Sequence, residues 1–196
     1  MSLRPIRLET GRYDIRAMAV GGGWRANAHL RNARKGGVVV ARATAETEAA
    51  VIAAIRADLT ARDAALVAQR QEQPDMGFTV PAAGEYADAL AVVTVTPAQR
   101  AMLTAHAASG DAGLTATALA RAAGYAGYEG ANMHYGKLGR AVADVLGMAP
   151  PQSQIRDEDL WTGVMAAWVP TPEDAEAAGR WVMYPALREA LSDSGL

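Results

Sequence analysis

Residues 114–147 constrain the fold more than any other segment, because they combine a short helix, a glycine-bearing turn and a longer helix. Leu114 acts as an apolar staple before Thr115, the N-cap of the first helix. That helix fills residues 116–123, and Gly124 supplies the left-handed residue that ends it. In the second helix, apolar residues recur at helical spacing and form one stripe: Ala131, Tyr135, Leu138, Val142 and Val145. The pattern predicts two packed helices joined by a tight turn.

The polar residues of the second helix face away from that stripe, and they include Asn132, Lys137 and Arg140. DNA-binding domains with this plan present the second helix to the major groove. Asn can form a bidentate contact with adenine, which makes Asn132 the leading candidate for base recognition. Helical bundles that bind no nucleic acid share the arrangement, so the pattern alone leaves both interpretations open.

The flanking sequence favours a winged helix. Upstream, Thr96 and Gln99 form a capping box around a Pro at the first helical position, which predicts a helix over 97–108. Downstream, residues 160–169 and 180–184 are rich in Trp and Val, and a segment with Pro and Gly separates them, which predicts a β-hairpin. Three helices followed by a β-hairpin is the element order of a winged helix.

Three runs of the C-terminal half carry a family resemblance: TATALARAAGYAGYEGANMHYGKLGR, WTGVMAAW and RWVMYPALREAL. They resemble a small winged-helix-type domain of bacterial and mobile-element proteins. That domain occurs alone or N-terminal to modified-base-reading and HNH nuclease modules in restriction enzymes. The resemblance implies DNA binding in a defence or anti-defence setting. It does not extend to cleavage, because HNH chemistry needs clustered histidines, and His29, His106 and His134 are widely separated.

Charge is distributed unevenly along the chain. Residues 1–45 hold nine Lys and Arg against two Asp and Glu, whereas the remainder holds ten against nineteen. The formal net charge of −2 hides this asymmetry. A cationic N-terminal part suggests that this segment meets a polyanion.

The N-terminal part reads as a three-stranded antiparallel sheet with one helix. Alternation predicts strands at 13–20, 24–31 and 37–42, followed by a helix from an N-cap at Thr44 towards Gln71. If the helix covers one face, the inward residues are Tyr13, Ile15, Ala17, Trp24, Ala26, Ala28 and Leu30. The candidate phosphate-contacting residues lie on the opposite face and in the second turn: Arg16, Arg25, Asn27, His29, Arg31, Arg34 and Lys35.

A basic open face of this kind is similar to the three-stranded DNA-binding domains of some phage integrases and of the plant AP2 type. Double-stranded-RNA-binding and small inhibitor domains share the order of elements. A solvated sheet face can also be polar merely because it is solvated. Such a face would mix both signs of charge, whereas Asp14 is the only anion among these strands, so the interpretation as a phosphate-contacting face is favoured.

Several classes of function are excluded or disfavoured. The chain has no Cys, which excludes disulfides, thiolate zinc sites and cysteine nucleophiles. No apolar run approaches the ~20 residues of a membrane span, and the N-terminus lacks the apolar core of a signal peptide, so a cytoplasmic protein is expected. The acidic run at 157–159 reads as a solvated turn. Neither a metal, a cofactor nor a catalytic site is expected.

The sequence therefore predicts an α/β protein of the α+β type. A basic β-β-β-α domain occupies 1–73, and a winged-helix-like domain occupies 96–196. Pro74, Pro81 and Gly84 break any long helix, so residues 74–95 form a linker, which contains a short strand at 77–80. Residues 89–95 form either another strand or the approach to the Thr96 cap.

The leading functional expectation is a non-catalytic, double-stranded-DNA-binding protein of a bacterial or phage mobile element, acting in restriction, defence or its regulation. The alternative is a protein-binding inhibitor of a host defence nuclease complex, of the anti-restriction or anti-CRISPR type. An enzyme with a dispersed site ranks third.

Overall fold

The computed structural model describes residues 4–33, 37, 39–152, 158–170 and 179–194. The chain forms two units, Met1–Gln69 and Arg70–Leu196. Both units mix helices with antiparallel strands, which confirms the predicted class. Their details differ from the expectation in several places.

The sheet of the first unit has four strands in chain order. They are β1 (Ile6–Thr10), β2 (Tyr13–Val20), β3 (Gly23–Leu30) and β4 (Val39–Ala45). The prediction of three strands was wrong, because β1 has only five residues and its alternation is too brief to stand out. Gly21 and Gly22 join β2 to β3, with φ of 60° and 89° that suit a two-residue hairpin turn.

One helix, α1 (Glu48–Val67), packs against this sheet. It begins after Thr47, whose Oγ1 accepts a hydrogen bond from the Ala50 N–H at 3.2 Å. The predicted cap at Thr44 was wrong, because β4 continues through that residue. In the sequence, Thr44 precedes the helical pattern as closely as an N-cap can, so it resembles a cap as much as Thr47 does.

The apolar stripe of α1 and the inner face of the sheet form the core of the first unit. Val51, Ile55 and Leu59 are buried there. The predicted inward residues that are buried with them are Tyr13, Ile15, Ala17, Ala26, Ala28 and Leu30. Trp24 was also expected in the core, but it is only half-buried because its pair with Ala19 lies next to the Gly21–Gly22 turn at the end of the sheet.

The second unit contains two hairpins and five α-helices among its described residues. In chain order these are β5 (Gln71–Gln73), β6 (Phe78–Val80), α2 (Ala83–Val92), α3 (Pro97–Ala108), α4 (Ala116–Ala122), α5 (Tyr128–Leu146), β7 (Ala166–Pro170), β8 (Gly179–Met183) and α6 (Pro185–Ser194). A single apolar core joins residues from most of these elements. None of the helices in the described ranges combines the length and apolarity that crossing a membrane requires.

The segment predicted to be a linker is folded into the second unit. The short strand is confirmed at Phe78–Val80, but α2 was missed, and the strand alternative for 89–95 is wrong because α2 runs to Val92. Two residues read as helix breakers occupy tolerated places: Pro81 precedes the helix and Gly84 lies in its first turn. A buried carboxylate also stabilises the start of α2, because Glu85 accepts two hydrogen bonds from Arg70 at 2.9 and 2.7 Å.

The three central helices agree with the sequence. Thr96 Oγ1 accepts the Gln99 N–H at 3.2 Å, while Gln99 Oε1 accepts the Thr96 N–H at 2.9 Å, so the capping box of α3 is present. Thr115 caps α4 in the same way at 3.1 Å. Gly124 has a φ of 74°, as the predicted left-handed stop requires.

The C-terminal hairpin is shorter than predicted. Residues 161–164 form a 3-10 turn and not the first half of a strand. This turn packs against α5 at Gly139, where a Cβ atom would lie 2.0 Å from the Trp161 carbonyl oxygen. Leu114, predicted to be a helix staple, exchanges two backbone hydrogen bonds of 2.8 Å with Trp181 and forms an isolated β-bridge beside β8.

Candidate nucleic-acid interface

The side of the sheet that faces away from α1 is called the outer face. Period-two alternation and the strand register place its residues. They are Arg7, Glu9, Asp14, Arg16, Met18, Arg25, Asn27, His29, Arg42 and Thr44. The inner positions between them are buried or half-buried, so this face is defined by the same pairing that builds the core.

A row of basic and amide side chains crosses all four strands. Arg7 lies opposite Arg16, Arg16 lies opposite Asn27, and Asn27 lies opposite Arg42. Neighbouring strands are ~4.8 Å apart, so the row spans about 14 Å between the outermost Cα atoms. We call these four residues the cross-strand row.

Arg25 extends the basic surface by one position along β3, opposite Met18 on β2 and Thr44 on β4. Arg25 and the three arginines of the row are exposed. Among the described residues, no carboxylate lies within ion-pair distance of any of the four. Arg7 and Arg16 carry like charges directly opposite one another, and such pairs repel in a sheet. This repulsion costs the folded state free energy that no carboxylate of the described residues offsets.

The opposite end of the outer face is different. Arg31 lies 2.9 Å from Glu9 and 3.6 Å from Asp14, so its charge is already compensated. Asp14 is the only anion among the three predicted strands, but the unpredicted β1 adds Glu9 to this face. Arg31 is therefore less available to a ligand than predicted.

Other cations of the first unit are compensated as well. Arg12 lies 2.7 Å from Asp63 of α1, and the Tyr13 hydroxyl donates a hydrogen bond to the same carboxylate. Arg62 donates to the Tyr13 hydroxyl at 2.9 Å. Burial, and secondly the hydrogen bond that the hydroxyl donates to Asp63, raises the pKa of Tyr13 above its usual value of 10.0. The exposed arginines of the outer face differ from this structural cluster.

The remaining predicted residues of the first unit fall into two groups. His29 is half-buried, and its Nδ1 lies 3.2 Å from the Gly37 carbonyl oxygen, so one ring nitrogen already has a backbone partner. Arg34 and Lys35 lie outside the described residues.

The second predicted group lies on α5 of the other unit. Asn132, Lys137 and Arg140 are exposed, as the helical stripe requires. The Arg140 guanidinium lies over the Trp161 ring, 5.2 Å from its centroid. One face of the guanidinium therefore already makes a cation–π contact within the chain. Met133 on the same helix is 51% exposed.

Sequence reasoning missed two residues of the cross-strand row. Arg7 was missed together with β1, because the five residues of that strand are too few for its alternation to identify it. Arg42 was counted as a cation but not assigned to a face; the alanines on either side of it, Ala41 and Ala43, could have shown its direction.

The described residues offer no group of three or more His, Cys, Asp and Glu side chains that could hold a metal ion. Comparison of the chain with protein-family models, with curated proteins and with solved structures finds no match.

Proposed function

We propose that this chain is a non-catalytic protein that binds double-stranded DNA through the outer face of its N-terminal sheet. The observation that carries the proposal is the cross-strand row, in which three exposed arginines lie at three of four successive register positions. Guanidinium groups bind phosphate oxygens through charge-assisted hydrogen bonds, and DNA presents such oxygens on both sides of each groove. A phosphate backbone would supply the anions that the fold does not.

The dimensions of the row fit a groove of B-DNA. Its span of about 14 Å is close to the ~12 Å width of the major groove. Arg7 and Arg16 at one end and Arg42 at the other are then near the two phosphate strands, and Asn27 lies over the base edges. This arrangement favours a sheet laid into the major groove.

The proposal includes a second, weaker contact and a biological setting. Asn132 and Lys137 are exposed on α5, the helix that follows α4 and the Gly124 turn. In helix-turn-helix proteins the helix at this place enters the major groove. The resemblance of the C-terminal half to winged-helix domains of mobile elements supports a role in restriction or anti-restriction in the cytoplasm. That part of the proposal rests on the resemblance and not on the sheet.

A salt titration of affinity for duplex DNA tests the main proposal. Each neutralised phosphate contributes about −0.9 to the slope of log K against log salt, so three or four contacts give a slope of roughly −3 to −4. Arg16→Ala is expected to reduce the slope by about 1. Arg56→Ala is the matched control, because it removes the same charge from an exposed position on α1.

Two results would reject DNA binding by this face: no measurable affinity at low salt, or equal effects of Arg16→Ala and Arg56→Ala. The second result would show that only the net charge of the unit matters.

The alternative function is inhibition of a host defence nuclease complex through protein contacts. The charge of the second unit favours it, because residues 70–196 hold fifteen Asp and Glu against eight Lys and Arg. A pulldown from nuclease-treated host lysate discriminates between the two functions. A partner that survives DNA digestion and is lost with Met133→Lys supports the inhibitor, whereas a partner that disappears with the DNA supports the first function.

A further inference from the structure

Asn27 is half-buried and lies near the centre of the outer face. It lies on β3, which is paired on both sides, and the residues directly opposite it are Arg16 and Arg42. Its neighbours two positions away along the strand, Arg25 and His29, share the outer face. A neutral amide is therefore surrounded by basic side chains on four sides.

The amide of Asn27 has no role within the fold. Its side chain makes no hydrogen bond to any residue in the described part of the chain. Asn is also depleted in strands, where β-branched residues pack better. Its donor and acceptor therefore remain available to a ligand.

The backbone at Asn27 is held firmly. Ala26 and Ala28 on either side are fully buried beneath α1, and β3 is hydrogen-bonded to both β2 and β4. A side chain with few rotatable bonds on such a strand presents its amide from a fixed position. Binding then costs little conformational entropy, as specific recognition requires.

We infer that Asn27 recognises adenine in the major groove, its Oδ1 accepting from adenine N6 and its Nδ2 donating to N7. Only adenine offers this neighbouring donor and acceptor on its major-groove edge. The inference rests on the proposed DNA binding and assigns base reading to the sheet. Asn27 thereby replaces Asn132, which lies on a helix of the acidic second unit, as the leading candidate for base recognition.

The test begins with selection of bound sequences from a randomised duplex by the full chain. Wild-type protein is expected to enrich adenine at one position, and Asn27→Ala is expected to reduce that preference tenfold or more while other positions keep theirs. Asn27→Gln, which carries the same amide, is expected to retain part of it. Asn132→Ala is the matched control and leaves that position unchanged. Asn27→Val replaces the Ala variant if the latter does not give the native circular dichroism spectrum.

A chemical probe then identifies the contact. Replacing the selected adenine by 7-deazaadenine removes the N7 acceptor and keeps base pairing. Wild-type affinity is expected to fall, and the affinity of Asn27→Ala is expected to stay the same. Equal losses in the two proteins, or the same adenine preference in both, would overturn the inference and leave DNA binding intact. Absence of any DNA binding would overturn both.

Discussion

Arg7 of β1 and Arg16 of β2 lie directly opposite each other in antiparallel register, both exposed and both without a carboxylate partner among the described residues. A sheet selected for stability alone would place opposite charges or β-branched residues at such a pair. The pairing therefore separates two explanations of the outer face. A surface that is merely solvated gains nothing from two opposed arginines, whereas a surface that binds phosphates gains two positive charges.

The first prediction concerns this pair. Arg7→Gln removes the repulsion, so we expect the free energy of unfolding in urea to rise by about 0.3 kcal/mol. The same substitution removes one phosphate contact, so the salt slope for DNA should become shallower by about 1. Stability and binding thus change in opposite directions.

Arg7→Lys provides the control, because it keeps the charge and is expected to preserve both the repulsion and most of the binding. A fall in stability with Arg7→Gln would show that this side chain supports the sheet. The Arg7–Arg16 pair would then be explained by stability, and it would no longer favour phosphate binding.

The second prediction concerns the compensated end of the outer face. Glu9 lies 2.9 Å from Arg31, so Glu9→Gln should leave this guanidinium with only its longer contact of 3.6 Å to Asp14 and also remove a negative charge from the face. We expect higher DNA affinity and a salt slope steeper by up to about 1. Arg31→Ala should weaken binding less than Arg16→Ala.

Asp58→Asn is the matched control for Glu9→Gln, since Asp58 is exposed on α1. Equal gains in affinity from the two substitutions would mean that the overall charge of the unit, and not the outer face, governs binding. A larger loss of DNA affinity from Arg31→Ala than from Arg16→Ala would contradict the assignment of phosphate binding to the arginines of the cross-strand row.

Strand alternation predicted the part of the site that lies on long elements. β2 and β3 have eight residues each, enough for the pattern to fix which side chains share a face, and Arg16, Arg25 and Asn27 were placed correctly. β1 is too short for this signal, so its Arg7 and Glu9 were not assigned. No local pattern could show that Arg31 meets Glu9, because that contact depends on the pairing of separate strands.

Tertiary packing explains the errors in the second unit. Trp161 belongs to a run with strong strand propensity, yet its segment forms a 3-10 turn against the α5 backbone at Gly139. Likewise, Pro81 and Gly84 suggested a break, but the ion pair of the half-buried Arg70 with the buried Glu85 stabilises a helix there. Neither interaction is visible in a local window of sequence.

The third prediction uses two glycines of α5. At Gly139 a Cβ atom would lie 2.0 Å from the Trp161 carbonyl oxygen, so Gly139→Ala must displace the backbone of the 3-10 turn. We expect a loss of about 3 kcal/mol in the free energy of unfolding. At Gly136 the nearest atoms are 3.9 Å away, so Gly136→Ala should gain up to ~1 kcal/mol of helix propensity.

Thermal unfolding followed by circular dichroism measures both variants. Each variant serves as the control for the other, since the two substitutions add the same methyl group to the same helix. Similar melting temperatures for the two would contradict the close approach of α5 to the 3-10 turn.

The last prediction concerns His106, which is fully buried in the second unit. Its Nδ1 lies 2.8 Å from the Tyr135 hydroxyl and its Nε2 lies 2.9 Å from the Trp181 carbonyl oxygen. Since a carbonyl can only accept, Nε2 donates, and the neutral ring accepts from the tyrosine at Nδ1. The imidazole therefore joins α3, α5 and β8 in its uncharged form.

Burial lowers the pKa of His106 below its usual 6.5. Above pH 6.5 the imidazole is neutral in both the folded and unfolded chain, so its contribution to stability is fully present. Below pH 6.5 the unfolded chain takes up the proton first, so the free energy of unfolding falls until the pH passes the folded-state pKa. Urea unfolding at pH 7.5 and 5.5, followed by tryptophan fluorescence, should show this loss.

His106→Gln keeps an amide donor and acceptor but does not titrate in this range. We expect it to be less stable than the wild type at pH 7.5, by about 1–3 kcal/mol, because the two hydrogen bonds are imperfectly replaced. Its further loss on going to pH 5.5 should be smaller than that of the wild type. His29→Gln, in the other unit, should leave the pH dependence of the second unit unchanged. Parallel pH profiles for His106→Gln and the wild type would mean that carboxylates, and not this buried imidazole, cause the acid sensitivity.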